Sequence, residues 1–161
     1  MNESANFEHP FLNGMDEQNR WIFLNGAAEQ EFAPGEIIFR EGEPANTLYL
    51  IKSGQVAIEA TAPGAEPTDI QILSSGEVLG WSWLFPPFAW HFQARALQPT
   101  TVICCDGGRL LVEAEENPAF GYDLMRRISQ IVIRRLQTTR QRLLKWESVL
   151  GRETEQVAAE R

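Results

Sequence analysis

The side chains best equipped for chemistry gather in one stretch. Trp81, Trp83, Phe85, Phe88, Trp90 and Phe92 crowd together, with Ser82 and His91 among them. Rings at that density either fill an interior or make a cage or stacking floor for a flat ligand. Elsewhere the reactive residue types form no recognisable site. His9 and His91 are the only histidines, and neither stands at a catalytic spacing from a Ser, Cys or Asp. No carboxylate pair sits in a motif, so the chain does not read as an enzyme. Cys104 and Cys105 are neighbours, which a strand would send to opposite faces. They read as one buried small hydrophobe and one partly covered thiol. Zinc-ligand spacing is lacking, and neither a metal nor a cofactor is expected.

Three kinds of pattern would position these residues. Over 10–29 the apolar positions Phe11, Leu12, Trp21, Ile22 and Leu24, punctuated by Asn13-Gly14 and Asn25-Gly26, predict a helical lead-in. From about 31 to 105 come short β-rich runs broken by Gly, Pro and Asn. They are Glu36–Arg40, Thr47–Lys52, Gln55–Ala60, Asp69–Leu73, Glu77–Leu79, Phe92–Leu97 and Thr100–Cys105. Short strands at such close spacing argue for an all-β barrel or roll. Ser53-Gly54 predicts a tight hairpin, and Ala60–Thr68 a longer loop. From 119 the pattern turns helical, with Asn117-Pro118 as its start. Val132, Leu136, Thr139, Leu143, Trp146 and Leu150 are spaced 4, 3, 4, 3, 4, an a/d heptad stripe. Gly151 is expected to end this helix, leaving 151–161 as a polar tail. The expected organisation is therefore a lead-in and roll over 1–118, a helix over 119–150, and the tail.

Composition sets outer bounds. The 161 residues are 43% hydrophobic, enough for one domain and its core. No apolar run approaches the roughly 18 residues of a membrane span. Met1 to Phe11 carries acids but no Lys or Arg, unlike a signal or transit peptide, so a cytoplasmic location is expected. Residues 1–125 hold 18 acids and 5 bases, whereas 126–161 hold 4 acids and 9 bases. An acidic body offers no nucleic-acid groove.

The segment Pro34-Gly35-Glu36-Ile37-Ile38-Phe39-Arg40-Glu41-Gly42-Glu43, followed by Leu48-Tyr49-Leu50-Ile51-Lys52-Ser53-Gly54-Gln55-Val56-Ala57-Ile58, resembles the first half of a cyclic-nucleotide-binding domain. The likeness covers about residues 10–145. It implies a mainly β fold with flanking helices: a cupin-like eight-stranded β-roll and a long C-terminal helix that pairs across a homodimer, as in the catabolite activator branch. The physical argument agrees, because a helix with an a/d stripe must bury it on the barrel or on a second copy. Met125, Ile128, Val132, Leu136, Thr139, Leu143, Trp146 and Leu150 are the expected dimer interface.

The resemblance also implies a ligand cassette between two strands, in which backbone N–H groups at a helix start hold a cyclic phosphate. A Glu takes the ribose hydroxyl and an Arg the phosphate. Here the cassette is Gly76, Glu77, Val78, Leu79, Gly80, Trp81, Ser82, Trp83, Leu84, Phe85 and onward through Trp90, His91 and Phe92. Gly76 and Gly80 match the family's two glycines. Trp81 stands where the ribose Glu belongs. The phosphate Arg is replaced by Trp90 counting back from the following strand, or by His91 counting forward from Gly80. Arg95 lies on that strand, and Thr139 falls where the activator's threonine touches the base. Losing two charge-assisted bonds removes about 3–6 kcal/mol, or some 10²–10⁴ in affinity.

Two function classes follow. One is a regulatory, signal-transducing sensor that binds cAMP or cGMP weakly, or binds another flat small molecule. The other is a ligand-free module that docks a protein partner through its aromatic cassette and basic helix. Relatives that bind DNA carry a helix-turn-helix after the long helix, and Gly151–Arg161 is too short for one, so no DNA binding is expected.

Overall fold

A computed structural model of the protein describes residues 6–159. Alternating burial sets its strands. In β4 (Gln55–Ala60) and β7 (Gln93–Ala96), Val56 pairs with Ala96 and Ile58 with Ala94, and all four are buried on one face. The described residues form eight strands in two antiparallel four-stranded sheets. The others are β1 (Ala28–Phe32), β2 (Ile37–Phe39), β3 (Thr47–Ser53), β5 (Thr68–Ser74), β6 (Val78–Leu79) and β8 (Thr100–Asp106). One sheet runs β1-β8-β3-β6 and the other β2-β7-β4-β5. Phe39 of the second sheet meets Tyr49 of the first at 5.9 Å between rings, so the two sheets share an interior. This is an eight-stranded β-roll with flanking helices and a long C-terminal helix, as the resemblance implies.

The first sheet buries its other face too. Leu48 pairs with Cys105 and Leu50 with Ile103, and all four are buried. Helix α2 (Gly107–Glu116) packs on β3 and β8. It also holds α1 (Glu17–Leu24), because Arg109 donates to the Ile22 carbonyl at 2.8 Å and the Phe23 carbonyl at 2.9 Å. Those carbonyls belong to the last turn of α1, where no intrahelical partner exists. At the opposite end of α1, Asp16 accepts from the Asn19 N–H at 2.8 Å as its cap.

Three expectations need correction. The lead-in over 10–29 is helical only in a short 3-10 turn at Pro10–Leu12 and in α1, because 28–32 is β1. Four of its five residues are exposed, so no alternation marks it; pairing of Ala28 with Cys104 through Phe32 with Thr100 makes the strand. Helix α2 was not expected, since two glycines open it. Asp106 caps it by accepting from the Arg109 N–H at 2.9 Å. Finally, α3 (Pro118–Ala159) does not stop at Leu150 but passes through Gly151, so the 151–161 tail is helical as far as Ala159. One interior glycine costs only about 1 kcal/mol against alanine. Arg152, Glu153, Glu155, Gln156, Ala158 and Ala159 are helix formers that recover it.

The chain divides into two compact units, one reaching Leu124 and one from Met125 onward. The first thus takes in the start of α3, past the boundary expected at 118. Parts of the N-terminal and tail readings fall on 1–5 and 160–161, outside the described residues.

Candidate functional site

The cassette begins in the turn between β5 and β6. Gly76 and Gly80 adopt φ of +88° and +87°, a region side chains rarely enter, which accounts for glycine at both positions. Val78 and Leu79 lie between them, buried in β6. Next comes a short 3-10 turn, Ser82–Leu84, with half-exposed Trp81 before it and Ser82 half-exposed at its start. Trp83 turns inward, and its indole N–H donates to the Gly80 carbonyl at 2.8 Å. Its ring lies against Gly107, so closely that a Cβ there would overlap it.

Trp90 is the centre of the arrangement. It is 3% exposed and stacks on Phe39 with centroids 3.8 Å apart and planes 12° apart. Tyr49 approaches it tilted, at 6.4 Å. Gly80 lies over the far edge of its ring, where a Cβ would meet Cη2 at 2.9 Å and Cζ3 at 3.1 Å. Phe92 flanks Phe39 at 6.1 Å and is half-exposed. Main-chain bonds from Trp90 N–H to the Glu43 carbonyl (2.9 Å) and from Gly42 N–H to the Trp90 carbonyl (2.8 Å) fix its backbone. His91, the next residue, is exposed. Phe85 and Phe88 are exposed as well.

Arg95 faces away from this chamber. It sits on β7 between Ala94 and Ala96, which are buried on the interior face. Its guanidinium grips buried Glu59, through Nε to Oε1 at 2.7 Å and through Nη2, and lies 3.7 Å from Asp69. Gln93 donates to the other Glu59 oxygen at 2.8 Å. Burial pushes the Glu59 carboxyl upward most strongly. The hydrogen bonds from Arg95 and Gln93, together with the Arg95 charge, outweigh it and hold the group below its usual value.

Thr139 lies on α3 in the second unit, exposed, its hydroxyl donating to the Arg135 carbonyl at 2.9 Å. Of the expected interface, Leu136, Leu143, Trp146 and Leu150 are each more than half exposed, Met125 and Val132 somewhat less, and Ile128 is buried.

The structure thus gathers Gly80, Trp90 and Phe92 about Phe39, sends the Trp83 ring to Gly107 at the start of α2, and leaves Arg95 and His91 outside the chamber. Sequence reasoning missed Phe39 and Tyr49, which wall it. Their signal was alternation within strands already recognised. A surface cavity of about 630 Å³ opens elsewhere, beside Phe7, Glu8, Ala27, Glu29 and Lys52. Its one ammonium is already engaged, with Lys52 Nζ 2.9 Å from Glu29.

The described residues include no group of three or more His, Cys, Asp or Glu fit to hold a metal ion. Nor do they include a helix long and apolar enough to cross a membrane.

Comparison with known proteins places this geometry. A model of the cyclic nucleotide-binding domain matches residues 29–117. A CRP-like cAMP-activated global transcriptional regulator of Mycobacterium tuberculosis is 28% identical over 129 residues, covering 79% of this chain and 56% of that protein. The chain therefore spans little more than half the length of that relative. Among solved structures, a protein described as cyclic nucleotide-binding from Geobacter metallireducens GS-15 is 26% identical with a TM-score of 0.72, covering 80% of this chain and 92% of that one. The catabolite activator protein of Thermus thermophilus shares the fold at 22% identity and a TM-score of 0.65, covering 83% of this chain and 61% of that one.

Proposed function

The chain belongs to the cyclic nucleotide-binding domain family, and from that premise we propose that it is a non-enzymatic regulatory module whose cassette takes cAMP and cGMP weakly or not at all. One observation carries the reading: the interior beneath Gly80 holds the Trp90 ring against Phe39, and among the described residues no Lys or Arg is buried. Arg95, the nearest cation along the chain, spends its charge on Glu59 across the sheet. A cyclic phosphate would have backbone N–H groups alone and would pay desolvation in an apolar interior. Stacking on tryptophan returns about 1–3 kcal/mol per base, which leaves weak binding.

The burial of Trp83 and Trp90 favours a second reading, a ligand-free docking module that presents exposed Phe85 and Phe88. Both readings share a homodimer through α3, without DNA or membrane partners, in the cytoplasm. The exposed a/d stripe supports the dimer, and the acidic body argues against a DNA partner.

Calorimetry with cAMP and cGMP at pH 7.5 tests the proposal. Dissociation constants above roughly 100 µM are expected, an affinity weaker than about −5.5 kcal/mol. Low-micromolar affinity for either nucleotide overturns it.

A further inference from the structure

We propose that the chamber beneath Gly80 is a receptor for a neutral planar aromatic ring, and that Trp90 is the ring the chain itself supplies. The inference rests on the reading of the cassette given above and adds a ligand class to it.

Separate elements build the walls. Phe39 from β2 offers a ring face, parallel to the indole within 12°. Tyr49 from β3 offers a tilted ring at 6.4 Å. Gly80, at the end of β6, closes the far edge and fits only because it lacks a Cβ. The backbone of each wall is held without Trp90. Phe39 is paired with Ala94, and Tyr49 with both Leu79 and Cys104. The backbone that bears the indole is held independently, by its two bonds to Gly42 and Glu43 and by the Ala45 N–H to Phe88 carbonyl bond at 2.7 Å. Truncating the side chain should therefore leave a ring-shaped hole rather than a collapsed loop.

The chemistry of the walls fixes what fits. Two aromatic rings and a bare glycine recognise a flat, uncharged ring by stacking and shape. Among the described residues no Lys or Arg is buried there to balance an anion, so a phosphate is disfavoured by the cost of stripping its water. Apolar cavities left by truncation take up apolar molecules of matching shape. Trp90 thereby sets the specificity of the site: with it the chamber is self-occupied, and without it the chamber accepts an indole-sized heteroaromatic.

The test uses the full chain and indole as the probe, followed by thermal melting and calorimetry. Trp90→Ala is expected to melt below the parent chain and to regain about 3–6 °C at indole concentrations some tenfold above its Kd. The parent chain should not respond. Adding Phe39→Ala to the variant should abolish the response. Should Trp90→Ala fail to melt cooperatively by itself, Trp90→Leu, which fills part of the hole, is measured the same way. Equal stabilisation of parent and variant, or no indole response from any variant that folds, overturns the proposal. Parallel cAMP titrations separate the two claims. Tight cAMP binding by the parent chain defeats the reading of the cassette, whereas a missing indole response defeats only the receptor proposal.

Discussion

At the scale of single residues, buried polar groups make the sharpest statements. His9 is buried; its Nδ1 accepts from the Phe11 N–H at 3.1 Å and its Nε2 donates to the Ile51 carbonyl at 3.1 Å. That pair of roles requires the neutral ring, since a protonated Nδ1 could not accept. Burial lowers its pKa, and hydrogen bonding to Ile51 and Glu77 raises it less. The unfolded ring titrates near 6.5 and the folded one lower, so its stabilisation is complete above pH 6.5 and drains away as pH falls below it. The melting temperature should therefore fall between pH 7.5 and 5.5, and His9→Gln should flatten that fall; an unchanged slope would refute the assignment. Glu59 acts in a lower window, contributing above its unfolded value of 4.5 and losing its effect as pH drops beneath it. Removing its partner by Arg95→Met should cost about 2 kcal/mol in chemical denaturation, less than for a fully buried pair because Arg95 is a third exposed. Nucleotide affinity should not change, because Arg95 faces away from Trp90. Little of this was legible in sequence. The substitutions at Trp81 and Trp90 could be read against the family pattern, but the direction of Arg95 depends on register, and the role of His9 depends on a carbonyl 42 residues away.

Helices and strands were legible to the extent that their signals are local. The seven expected runs all became strands, with ends shifted by a residue or so, because alternation and glycine turns are local facts. β1 escaped because its existence is a pairing decision made by β8, and α2 because its opening glycines hide a good cap. Two helical glycines show how context reverses a propensity. Gly151 has open space around it, so Gly151→Ala should stabilise the chain by about 0.5–1 kcal/mol. Gly107 also lies in a helix, but its missing Cβ is where the Trp83 ring rests. There Gly107→Ala gains the same propensity and loses about 1–3 kcal/mol to overpacking, a net destabilisation. Melting curves of the two variants should move in opposite directions; a shared direction would mean that Trp83 is not held against α2.

On the scale of the whole molecule, the proposed dimer rests on the long helix. Its stripe of Leu136, Leu143, Trp146 and Leu150 is costly to leave in water, so sedimentation should give a dimer at tens of micromolar. Leu136→Asp with Leu143→Asp should give a monomer, and a parent chain that is itself monomeric would sink the idea. The family resemblance anticipated the two-sheet roll and the long helix, and the heptad spacing named the exposed stripe. The helix end was not anticipated, because a glycine stops a helix only when its neighbours cannot carry it onward. The adjacent thiols on β8 extend what this architecture allows. Cys104 shares a face with Tyr49, and Cys105 shares the opposite face with Leu48. Burial pushes their pKa values up to about 11 and about 12. Only the thiolate attacks an alkylating reagent, so buried Cys105 should not react at neutral pH until its face of the strand comes open, whereas half-exposed Cys104, 3.5 Å from the Gln30 amide oxygen, should react slowly. The thiols of two consecutive residues therefore serve as two clocks on one strand. Cys104 times excursions on the side of the aromatic chamber, and Cys105 times the lifting of α2. A labelling rate for Cys105 that tracks global stability in denaturant, beside a faster and less sensitive rate for Cys104, would order the loosening of the protein from the roll outward to its helices.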